Sequence, residues 1–126
     1  MKKTLIALLL FLYSFTTSAQ SDGLIYMVAS GPWNTYSQQY DLKYRDVNMS
    51  FRLEKSVIYI SDGANSVYIT ENSVLEQDDS RAFIVSWDAR DERSRRCRIF
   101  MGQNHSTGDK SLIVSYSDYM FQYFYR

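Results

Sequence analysis

Across residues 47–70 polar and apolar side chains alternate with a period of two. Val47, Met49, Phe51 and Leu53 fall on one face, and Asn48, Ser50, Arg52 and Glu54 on the other. That is the pattern of a strand with one side in a core. A second β-rich run, 56–61, precedes an Asp62-Gly63 turn, and a third run covers 66–70. The stretch predicts a three-strand antiparallel meander.

The same reading extends along the chain. Residues 24–29 form a first strand that stops at Ser30-Gly31-Pro32, where Gly and Pro interrupt regular pairing. Trp33, Tyr36, Tyr40 and Tyr44 have a helix-like spacing. The intervening Thr35, Ser37 and Asp41 argue instead for a short strand or irregular cover. Residues 71–79 are polar and acidic, a short strand and a turn. Alternation returns over 82–88, with Phe83, Val85 and Trp87 on one face. Residues 89–94 form a charged hairpin loop, and 95–101 return with Cys97, Ile99 and Met101 inward. Residues 102–110 have the composition of an exposed loop. A last hairpin pairs 111–117 with 119–126 around Ser117-Asp118.

Eight or nine short strands spaced by about ten residues, with no helical period among them, predict an all-β fold. Short connections favour an antiparallel up-and-down meander, curled into a small closed or partly open barrel; a β-sandwich is the alternative. Closure removes the edges through which sheets recruit other chains. Runs of about seven residues fall short of the roughly 9–11 that a membrane-spanning strand needs.

Residues 1–19 change the picture of where the domain works. Lys2 and Lys3 precede an apolar run over 5–15, and Thr16-Thr17-Ser18-Ala19 supply small residues. This is the pattern of a secretory signal peptide of bacterial type, with the cut expected between Ala19 and Gln20. The apolar run is too short for an anchor helix, and no Cys follows the cut to carry a lipid. The expectation is a single β domain, 20–126, that is periplasmic or secreted and does not span a membrane after cleavage. Its 107 residues can bury a core without staples. Cys97 is the single cysteine, so no internal disulfide forms.

Without Lys2 and Lys3, twelve basic residues face fourteen acidic ones, a formal charge of −2. A near-neutral chain lacks the clustered cations that bind phosphate backbones, so nucleic acid is not an expected partner.

Few residues invite a chemical reading. Tyr119, Phe121, Tyr123 and Tyr125 share one face of the last strand. They suit either a stacking platform for sugar rings or, the favoured account, a closing strand whose rings cover the core. His105 is the single histidine, in a loop. A hydrolase needs it beside a nucleophile and an orienting acid, and no G-x-S-x-G elbow is present. Cys97 reads as a small core residue with Arg96 and Arg98 on the opposite face. One Cys and one His make no closed zinc site, and the acidic residues 76–79 and 88–92 lack calcium-loop spacing. No cofactor is expected.

Two resemblances add to this. Asp88 to Glu92, Cys97-Arg98-Ile99, Leu112-Ile113-Val114 and Tyr116-Ser117-Asp118-Tyr119 resemble a group of small exported bacterial proteins of unknown activity. That likeness spans about Trp33 to Tyr125 and implies no catalytic residues. Gly31-Pro32-Trp33 is similar to the G-x-W motif of lipocalin-type barrels, and Ser117-Asp118-Tyr119 to their T-D-Y turn. The resemblance implies that Arg126 lies over the Trp. The chain departs from it in being shorter, with a single strand between that turn and Arg126.

The resulting expectation is an exported, non-catalytic, monomeric β domain that binds a small ligand or an envelope component. Trp33, Trp87, Tyr116 and Tyr123 are the candidate contacts if a barrel mouth is open. A hydrolase acting on glycan or peptide, and a structural or inhibitor-type surface protein, are the alternatives.

Overall fold

The computed structural model describes residues 22–61 and 65–126; the leader, its cut and the Asp62-Gly63 turn lie outside them. The described chain forms nine strands: β1 (Asp22–Asn34), β2 (Gln39–Tyr40), β3 (Lys43–Glu54), β4 (Val57–Ser61), β5 (Asn65–Asp78), β6 (Ala82–Asp91), β7 (Arg96–Asn104), β8 (Lys110–Ser115) and β9 (Tyr119–Tyr125). Consecutive strands pair antiparallel from β3 to β9, and β1 pairs with both β3 and β9. The β1–β9 ladder closes an eight-stranded barrel, with β2 added as a hairpin beyond β1. Closure decides between the two architectures: this is a barrel and not a sandwich.

The period-two pattern of β3 points Met49 and Phe51 into the barrel, where Phe51 pairs with Ile60 and Gly23. The core continues around the wall through Val28, Val85, Ile99, Met101, Leu112 and Val114, each at most 1 % exposed. The inner face of β9 carries an aromatic column. Phe121 and Tyr123 stack within 10° of parallel at 6.1 Å, and the Tyr125 ring meets Phe51 edge-on at 4.6 Å. These rings are core, as the closing-strand account expects.

Three elements differ from expectation. The strands are not uniformly short: β1, β3 and β5 run 13, 12 and 14 residues. Strand length therefore does not separate this barrel from a membrane one. Secondly, β1 does not stop at Ser30-Gly31-Pro32 but continues to Asn34. Gly31 fits there because the 41–42 backbone crosses against it; a Cβ would lie 1.7 Å from the Asp41 carbonyl oxygen. The Pro32 carbonyl accepts the Asp41 N–H at 2.9 Å, so the crossing is itself hydrogen-bonded. Thirdly, 71–78 is not a short strand but the outer half of β5. Two register shifts and a left-handed Asn72 (φ 52°) break its alternation.

Outer faces differ around the barrel. β3 presents the exposed row Asp46, Asn48, Ser50, Arg52 and Glu54. On β5–β7, Ser86 is fully buried although it faces outward. Its hydroxyl donates to Glu76 at 2.6 Å, while Arg98 reaches Ser86, Glu76 and Asp88 at 2.8, 3.0 and 2.7 Å. Those bonds fasten the bulged half of β5 to its neighbours. Arg98 thus faces away from Cys97, as expected from alternation.

Candidate functional site at the barrel mouth

Antiparallel register gives the barrel two ends. The 92–95 turn, the 116–118 turn and the 35–38 hairpin lie at one, here called the upper end; Asp22 and the 79–81 and 105–109 turns lie at the other. The upper end holds a group of inward-facing polar side chains. Tyr68 on β5 and Tyr116 after β8 are 5 % and 8 % exposed. The Tyr116 hydroxyl donates to Asp91 Oδ2 at 2.8 Å, and Tyr68 lines the same hollow.

Asp91 is placed by the local sequence. Its Oδ1 accepts the N–H groups of Arg93 and Arg95, both at 2.9 Å, which shapes the tight turn between β6 and β7. Burial alone would raise its pKa, but the Tyr116 hydroxyl and those N–H groups outweigh it and hold the carboxyl below its ordinary value. The tyrosines move the other way. Burial, helped for Tyr116 by the Asp91 hydrogen bond, pushes both phenols well above 10.0. Burial and the Asp91 charge push the Cys97 thiol up to about 11. Near neutral pH the group is one carboxylate, two phenols and a thiol.

Above these residues lies an open hollow of about 430 Å³, walled by Glu92, Arg93, Asp118, Tyr119 and Phe121. The Tyr119 and Phe121 rings lie 5.0 Å apart and continue the β9 column to the rim. The Arg95 guanidinium sits over the Tyr116 ring at 4.7 Å and pairs with Asp118 at 3.3 Å. Glu92 accepts the Val67 N–H at 2.9 Å and fixes the start of β5 to this turn.

The four residues singled out from the sequence do not form one site. Tyr116 is central to the mouth. Trp33 is at the same end but outside the wall, 38 % exposed and edge-on to Tyr40 at 5.1 Å. Tyr40 in turn donates to the Tyr116 carbonyl at 2.7 Å. Trp87 packs against the core from β6, and Tyr123 is buried within it, paired with Val28 and Leu112. The Trp33 N–H donates to the Asp118 carbonyl at 2.9 Å, which joins the Gly31-Pro32-Trp33 and Ser117-Asp118-Tyr119 motifs. Arg126 lies over Tyr26 at 4.6 Å rather than over Trp33, against what the lipocalin resemblance implied. Sequence reasoning missed Tyr68 and Arg95. The Asp91-x-Arg93-x-Arg95 turn chemistry was the available signal, but nothing along the chain shows that Tyr68 comes to meet it.

Other hollows offer less. One of about 610 Å³ lies against β1, β3 and β4, lined by exposed Leu24, Ser50 and Arg52. Another, of about 340 Å³, is an outer groove between Ile84, Phe100, Ile113 and Phe124. His105 is exposed at the lower end, remote in register from the mouth. Among the described residues no three His, Cys, Asp or Glu side chains are grouped to hold a metal ion. Comparison with known proteins found no matching family, no similar curated protein and no similar solved structure.

Proposed function

We propose that this is an exported, non-catalytic β-barrel protein that binds a small ligand or an envelope component at its upper mouth. The observation that carries the reading is the Tyr116–Asp91 hydrogen bond, with Tyr68 beside it, beneath an open hollow with an aromatic wall. Binding sites combine apolar walls with a few fixed polar groups in this way. Facing supports a water-soluble barrel: the inner wall is apolar and β3 is polar outside, the reverse of a membrane barrel.

Protonation supports a binding role over catalysis. The mouth offers no base poised near neutral pH, because its phenols and thiol hold their protons and Asp91 is fully engaged. A hydrolase would need His105, which sits at the other end. The outer groove of Ile84, Phe100, Ile113 and Phe124 favours a second reading, a protein that acts through its surface.

An NMR screen of residues 20–126 against glycans, peptides and small cations tests the proposal. Shifts are expected to centre on Tyr116, Phe121 and the 92–95 turn, and to be unchanged in His105→Ala. Binding that maps to the outer groove instead, or a loss above tenfold in a folded His105→Ala variant, would overturn the mouth reading.

A further inference from the structure

The mouth already contains a bound cation, and it belongs to the protein. Arg95 leaves the β6–β7 turn, lays its guanidinium over the Tyr116 ring at 4.7 Å and pairs with Asp118 on the β8–β9 turn at 3.3 Å. An aromatic face with a carboxylate beside it is a receptor for a guanidinium or ammonium group. Tyr116 is well built for that task, since the Asp91 hydrogen bond and the burial of its ring fix its orientation. Arg95 is not fixed. Its side chain is 56 % exposed and that of Asp118 72 %, and an exposed ion pair is among the weaker contacts a protein makes.

We propose that the mouth recognises a guanidinium or alkylammonium group, with Arg95 as the intramolecular occupant that such a ligand displaces. The proposal rests on the mouth being the binding site and adds the class of ligand. Charge favours it over an anion or a neutral sugar. With Arg95 swung out, the walls hold Asp91, Glu92 and Asp118 against Arg93 alone. Tyr119 and Phe121 supply apolar surface for the methylenes that carry such a cation. The same chemistry is found on a free small cation and on a basic side chain of a partner protein. The Arg95 side chain itself shows that an arginine on a polypeptide fits.

The test follows Tyr116 and Phe121 aromatic resonances in residues 20–126 during titration with three probes. These are agmatine, a Gly-Ser peptide bearing one arginine, and the same peptide with citrulline. Parent and Arg95→Ala proteins are compared, with Arg95→Gln as a second variant and melting curves as the check on folding. Expected is binding of agmatine or the arginine peptide but not of citrulline, about tenfold tighter once Arg95 is removed. That factor is recovered when an occupant filling the site roughly nine-tenths of the time is deleted. Adding Asp118→Asn should reverse most of the gain. Agmatine binding without the peptide assigns a free cation, and the reverse assigns a partner side chain. Equal response to citrulline, or no response of either folded variant to the cations, overturns the proposal. If other compounds still shift the mouth resonances, only the ligand class falls; if none does, the mouth reading falls with it.

Discussion

The Tyr116 hydroxyl donates to Asp91 Oδ2 at 2.8 Å and ties the β8–β9 turn to the β6–β7 turn. Tyr116→Phe keeps the ring and deletes that bond, leaving one carboxylate oxygen without its partner. The expected cost is about 1–2 kcal/mol at neutral pH, the roughly 1.5–3 kcal/mol of a hydrogen bond to a charged group reduced by the partial exposure of Asp91. Because the folded Asp91 pKa lies below its ordinary 3.8, its contribution is present above about pH 4 and fades as pH falls through the folded value. Urea denaturation at pH 7 and pH 3 should show the parent–variant gap narrowing in acid. A gap that is constant with pH would show that Asp91 does not draw its stabilisation from Tyr116.

Phe51 is 2 % exposed, with its ring edge-on to Tyr125. It joins β3 to the closing strand β9 across the inside of the barrel. Phe51→Ala should cost about 3–5 kcal/mol, the usual loss for truncating a buried aromatic. An unfolding midpoint equal to the parent's would mean that the core relaxes around the gap or that Phe51 does not face inward.

Gly31 meets the crossing 41–42 backbone so closely that a Cβ would fall 1.7 Å from the Asp41 carbonyl oxygen. The obstacle is main chain held by the Asp41 N–H to Pro32 carbonyl bond, so it has little freedom to retreat. Gly31→Ala should therefore cost about 3 kcal/mol or more, at the upper end of overpacking effects. Trp33, which follows on the same strand and packs on Tyr40, reports the displacement by fluorescence. A variant with parental stability and emission would place the crossing elsewhere.

These three positions show what was legible along the chain and what was not. The meander over 47–70 could be read because one face of β3 is buried and the other wet, which writes the period into the residue types. The strand pattern favours a barrel but leaves its closure open, since the β1–β9 ladder joins residues about a hundred positions apart and no local pattern records it. β1 and β5 were cut short for opposite reasons. In β1 a Gly-Pro pair that normally ends a strand serves a backbone crossing. In β5 two register shifts leave the adjacent Val74 and Leu75 both exposed, so the apolar residues no longer alternate. Of the mouth, only Tyr116 was legible. Its partners come from β5 and β6, and a polar cluster drawn from separate strands leaves no spacing to find.

At the lower end, acid stability should depend on Asp79. Its Oδ1 accepts the N–H groups of Arg81 and Ala82 at 2.8 and 3.0 Å, and Gln77 donates to both oxygens at 3.1 Å. The backbone N–H of Arg81, then that of Ala82, then Gln77 lower the carboxyl pKa from 3.8 to about 2. A folded pKa below the unfolded one means stability that is complete above about pH 4 and lost as pH falls toward 2. Asp79→Asn retains an acceptor for the same turn but does not titrate. The Asn variant should unfold somewhat below the parent at pH 7, with a shallower fall between pH 4 and pH 2, so that the two converge in acid. Asp79→Ala should lower the midpoint already at pH 7, because the 79–82 turn loses its acceptor. An Asn variant as steeply acid-sensitive as the parent would assign the acid transition to other carboxylates, of which Asp91 is the first to examine by the same substitution.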